Sequence, residues 1–131
     1  MIIRLARRFI VDGYQQPGLS TSAILVFAQP SMTTEQLAQS AITEETPPAN
    51  ISPELHSLWL AKSGRWEEAH NLCSSIPDPD GAWIHAYLHR EEGDLPNARY
   101  WYHRAGRTEP ASTVILEEEW RTITSHFLSR G

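Results

Sequence analysis

The sequence predicts an all-α protein: two antiparallel helical hairpins and a C-terminal capping helix, preceded by a flexible N-terminal segment. Three observations carry this. Apolar residues recur at spacings of three and four over residues 53–62, 66–76, 82–92, 95–106 and 112–129, the spacing of one helix face. Gly64 and Gly93 each close one helix just before another opens. The pattern also repeats, because Gly64 and Gly93, Ala69 and Ala98, and His56 and His85 all lie 29 residues apart. A period of this size means stacked helical hairpins, neither able to bury its apolar face alone.

At 131 residues the chain can bury one core with little to spare. The formal net charge of -5 argues against a general nucleic-acid binder, since neutralising phosphates needs a basic surface. The one cysteine, Cys73, excludes an internal disulfide framework and a cysteine-only zinc site, and it fits a reducing, cytoplasmic setting. No apolar run approaches the roughly 20 residues that cross a bilayer, so no membrane partner is expected.

Residues 1–51 are read as a poorly ordered segment and linker, and residues 52–131 as the helical repeat domain. Residues 1–31 set Arg4, Arg7 and Arg8 against one acid, Asp12, and then run apolar from 23 to 28. That composition fits an organelle transit peptide, a disordered tail, or sequence upstream of a true start at Met32. A short helix is expected over 33–42, TTEQLAQSAI, with a Thr cap. The adjacent prolines of TEETPPANIS then block helix continuation.

Ser52-Pro53-Glu54 opens the next helix as N-cap, first-turn proline and first-turn acid. Its apolar stripe is Leu55, Leu58 and Trp59. The following helix carries Ala69, Leu72, Cys73 and Ile76 on one side, and Pro77-Asp78-Pro79-Asp80-Gly81 ends it. Residues 82–92 make a third repeat helix. Asp94 caps a fourth, with Pro96 in its first turn and Ala98, Trp101, Tyr102 and Ala105 facing inward. In the last helix Leu116, Trp120, Ile123 and Phe127 form the buried stripe, with Glu117, Glu118 and Arg121 outward. Trp101 is expected to pack on that helix.

Gly93-Asp94-Leu95, Ala98, Tyr102, Ala105 and Pro110 follow the second half of a tetratricopeptide repeat: Gly at the turn, small Ala, an aromatic four later, Ala three later, Pro at the exit. Residues 52–110 are therefore similar to tetratricopeptide hairpins, the second being the better match. Departures are Trp83, one residue closer to the glycine than the pattern, His85 and His89 in place of Leu and Tyr, and Cys73 at the earlier aromatic position. The resemblance implies that the first helix of each hairpin lines a concave surface holding Leu58, Lys62, Trp83, Tyr87, Arg90 and Glu91. Aromatics beside a forked donor suit a peptide carrying carboxylates.

His85 and His89, four apart, share a helix face and can ligate one metal, with Glu92 three further on and His56 one repeat earlier. The competing reading packs both rings in the core, hydrogen-bonded to Tyr102 or a carboxylate. H-x3-H-x2-E is not the zinc-protease pattern, and no phosphate loop, nucleophile elbow or C-x-x-C is present. The sequence thus favours a non-catalytic module that binds a protein or peptide through its concave face, with no metal or cofactor. An enzyme or metal-binding protein using His85, His89 and nearby carboxylates is the alternative. So short an array also leaves its ends open to self-association.

Overall fold

The computed structural model describes residues 31–130, and the expectations for residues 1–30 lie outside them. Six α-helices and no strand occur among the described residues: α1 (Thr34–Thr43), α2 (Pro53–Lys62), α3 (Trp66–Cys73), α4 (Asp80–Glu91), α5 (Leu95–Ala105) and α6 (Leu116–Arg130). None of them is long and apolar enough to cross a membrane.

The compact unit begins at Thr33, well before Ser52. Thr33 opens α1 with a capping box: its hydroxyl accepts from the Gln36 amide, and the Gln36 side chain accepts from the Thr33 amide. Leu37, Ala38 and Ala41 are buried, and Trp59 Nε1 on α2 donates to Ser40 Oγ at 2.8 Å. The TPPANI segment after α1 is therefore a connection inside the domain and not its edge.

The bends between α2 and α3 and between α4 and α5 are built alike. Gly64 and Gly93 sit at φ +85° and +89°, where a side chain is strained. The amide after each glycine reaches back five residues along the chain, Arg65 N to Leu60 O and Asp94 N to His89 O, both at 2.9 Å. Small buried residues let the paired helices approach. Ser57 faces Ala69, donating to its carbonyl at 2.9 Å, and their counterparts 29 residues on, Ala86 and Ala98, are equally buried.

Two helix limits differ from the sequence reading by three residues or more. The α3 helix stops at Cys73, three residues early, because Ser74 and Ser75 turn their hydroxyls back onto the carbonyls of His70 and Leu72. The last helix starts at Leu116, not 112. The Val114 amide closes a turn onto Ala111 and its carbonyl accepts from Arg90, which holds the strand of chain before α6 out of helical form.

Helix α4 is the centre. It packs against α2, α3, α5 and α6, and every residue from 81 to 89 is buried. A helix buried all round has no face left for solvent. It enters the core at Gly81, where an added Cβ would lie 2.1 Å from the Ile76 carbonyl oxygen.

Candidate metal centre

Helix α6 lies over the surface expected to be concave and open. Trp120 Nε1 donates to the Leu58 carbonyl at 2.8 Å, and Trp120 is fully buried. Trp83 packs against His126 and Phe127 of α6, with the Arg107 guanidinium 3.5 Å from its ring centroid. Arg90 donates to Glu119 at 2.8 Å and to the Val114 carbonyl, and Tyr102 donates its hydroxyl to the same carboxylate. Lys62 pairs with Glu117, which also accepts from Arg121 at 3.0 Å. Leu58, Trp83 and Tyr87 are buried, Lys62 and Arg90 are engaged, and of the six expected recognition residues only Glu91 is exposed. The expectation that these residues line a free surface is therefore corrected. The sequence reading gave α6 a polar outer face, whereas Glu117 and Glu119 are the groups that fasten it.

A different cluster forms where α3 meets α4. His85 and His89 share one side of α4, stacked with centroids 5.0 Å apart. His70 on α3 meets them: His70 Nε2 and His85 Nε2 are 2.9 Å apart, and the His70 and His89 ring centroids 5.2 Å. One nitrogen from each ring lies within 4.8 Å of the others. His56 takes no part. It sits on α2 within electrostatic reach of Glu68, so the third imidazole comes from the neighbouring helix and not from the equivalent repeat position.

Aromatic rings wall the cluster. Trp66 stacks on His70 at 4.8 Å and 11°, anchored by its Nε1 donating to the Leu88 carbonyl. Trp101 stacks on His85 at 3.8 Å and 6°, and the Arg104 guanidinium lies over its ring. Trp101 therefore packs on the histidines and not on the last helix. Neither histidine bonds to Tyr102, whose hydroxyl goes to Glu119.

Burial makes these imidazoles good ligands. His85 is pushed down from 6.5 to about 4, mainly by desolvation and then by His70 and His89. Desolvation and His89 likewise lower His70. Both rings are neutral at pH 7, as metal ligation requires. His89 Nδ1 lies 2.8 Å from Glu92 Oε2. With Glu92 ionised, that bond places the proton on Nδ1 and leaves the Nε2 lone pair for an ion, the usual carboxylate–histidine support of a metal ligand. His89 also gathers with the exposed Glu92 and Asp94 in a second group. Cys73 is elsewhere: its thiol, pushed up to about 12 by burial, donates to the His70 carbonyl.

The donor set suits a late first-row divalent ion, because imidazole ligands favour zinc, copper and nickel over calcium or magnesium. Tetrahedral ligation at 2.0–2.1 Å places neighbouring nitrogens about 3.3 Å apart. The 2.9 Å pair needs to open by only a few tenths of an ångström, and no pair has to close by more than roughly 1.5 Å.

His70 is the residue that sequence reasoning missed. Its signal is Trp66-x3-His70, an aromatic pair on one helix face, which becomes informative only once α3 is known to pack on α4. Comparisons with protein-family models, curated proteins and solved structures returned no match.

Proposed function

We propose that this domain binds one divalent transition-metal ion, zinc being the best fit, through His70, His85 and His89, with Glu92 orienting His89. The observation that carries the reading is the convergence of three imidazoles from two helices, two of them buried and two held neutral. Hydrogen bonds engage the rings in pairs, His70 with His85 and His89 with Glu92, and a metal ion would engage all three at once.

Titration calorimetry of the chelator-treated full chain with zinc chloride tests it. One equivalent should bind at pH 7.5, His70→Ala should weaken binding by about 100-fold or more, and His56→Ala should leave it within a factor of about three. Absence of stoichiometric binding, or wild-type affinity in the His70 variant, would overturn the assignment.

The tetratricopeptide likeness of residues 52–110 belongs to the same reading as a scaffold, supported by the paired glycine bends and by Ser57/Ala69 and Ala86/Ala98. A second reading, peptide recognition on the concave face, draws support from Leu58, Lys62, Trp83 and Arg90 all contacting a helix. That helix is α6, so a peptide or protein partner would have to displace it.

A further inference from the structure

We infer that the ion held by the three histidines keeps one coordination position for an exogenous anionic oxygen donor, hydroxide in the resting state and a small carboxylate in its place. The inference rests on the metal reading above and goes beyond it, from a bound ion to a ligand-exchanging one.

The donor count comes first. Among the described residues, the group converging with His70 and His85 ends at three, and Glu92 and Asp94 gather with His89 alone. Zinc takes at least four ligands. Structural sites close that number with protein groups, while sites that work on exogenous molecules supply three and leave the fourth to water or substrate.

Access points the same way. His85 and His89 are 8% and 7% exposed, while His70 is only half-buried, so the cluster meets solvent at His70. The indole faces on His70 and His85 limit the approach to something small.

Charge selects the kind of donor. Three neutral imidazoles bring no charge to the ion, and the nearby carboxylates act on the rings through space, Glu67 and Glu92 on His70 and Asp78 on His85, with Glu92 also bonded to His89. A divalent charge in a largely dry site favours an anion over a neutral ligand. Arg104 adds positive charge from beyond Trp101, but its donors are held by Asp78 at 2.7 Å and Tyr100 at 3.2 Å, so it contributes field and not a contact. A zinc ion held by His70, His85 and His89 would make water at the remaining position acidic enough to be hydroxide near pH 7, and would accept a small carboxylate in its place.

Cobalt(II) loaded into the full chain in place of zinc reports this directly through its visible bands. One equivalent of Co²⁺ should give four-coordinate bands that shift between pH 6 and 8.5 with a midpoint of about 7. Acetate or azide should shift them saturably, while the helical circular dichroism stays constant. Stoichiometric Co²⁺ with bands indifferent to pH and to both anions means a closed, structural site and overturns this inference alone. Failure to take up one equivalent overturns the metal reading and this inference with it.

Discussion

The α2–α3 half and the α4–α5 half of the domain bend alike, yet α2 has no counterpart to the imidazole pair that α4 gives to the cluster. Both bend at a glycine of positive φ, both close with the same amide-to-carbonyl bond, and both bring small residues together at equivalent positions. Even the first histidine recurs, since His56 stands 29 residues before His85. The difference lies in the neighbours. Helix α4 has α3 packed on its histidine side, bringing His70 and Trp66, and α5 delivers Trp101. Helix α2 has α1 instead, which offers Ser40 to Trp59, and the counterpart of His89 is the buried Leu60. A repeat position thus has chemistry only through what is stacked against it.

This contrast can be broken in several places. The largest effect is expected where each half grips α6. Arg90→Ala removes the cation from Glu119, whose side chain is 6% exposed, and should cost about 3–5 kcal/mol in urea denaturation. Lys62→Ala in the other half loses an ion pair with a partly exposed Glu117 and should cost less than about 1 kcal/mol. Equal losses would mean that the two grips are equivalent and that burial does not separate them.

Acid comes next. The His85 value is depressed on folding, so the native state binds fewer protons than the unfolded chain. Its contribution is complete above pH 6.5 and is lost as pH falls from 6.5 toward 4. The groups acting on it are His70, His89 and Arg104, which lower it, and Asp78, which raises it. The loss for chelator-treated protein should approach about 3 kcal/mol, and His85→Gln should flatten most of that slope in denaturation series between pH 4 and 7.

The smallest difference concerns how each half begins. Gly81→Ala places a methyl against the Ile76 carbonyl and should cost about 2–3 kcal/mol, lowering the melting temperature by roughly 10 °C or more. Ser52→Ala removes an ordinary cap, where Ser52 Oγ accepts from the Leu55 amide at 3.2 Å, and should cost about 1 kcal/mol. A Gly81 variant as stable as wild type would show that α4 can slide away from α3, and the geometry at His70 would have to slide with it.

Much of the scaffold was legible because it is written in local chemistry. Ser52-Pro53, Gly64, Gly93 and Asp94-x-Pro96 each act on the backbone within a few residues, so spacing alone placed most helix limits. Tyr102 was readable as inward-facing for the same reason, from its place on the Ala98–Ala105 stripe. What could not be read depends on contacts between distant segments. Glu119 follows two outward-facing acids in sequence, and only the approach of Arg90 and Tyr102, 29 and 17 residues away, makes it a buried anchor. His70 carries no mark of its role within its own helix, because its partners lie on α4. Leu37 and Ala41 are too few to announce that α1 belongs to the core.

The route by which α6 returns has a consequence for biosynthesis. It ties back to Leu58 through Trp120, to Glu35 through Arg121 and to Asp80 through Arg130. As the last of the six helices to leave the ribosome, it reaches partners made up to 87 residues earlier. Until it emerges, the nascent chain presents Leu58, Trp83 and Tyr87 uncovered, an apolar strip of the kind that chaperones hold.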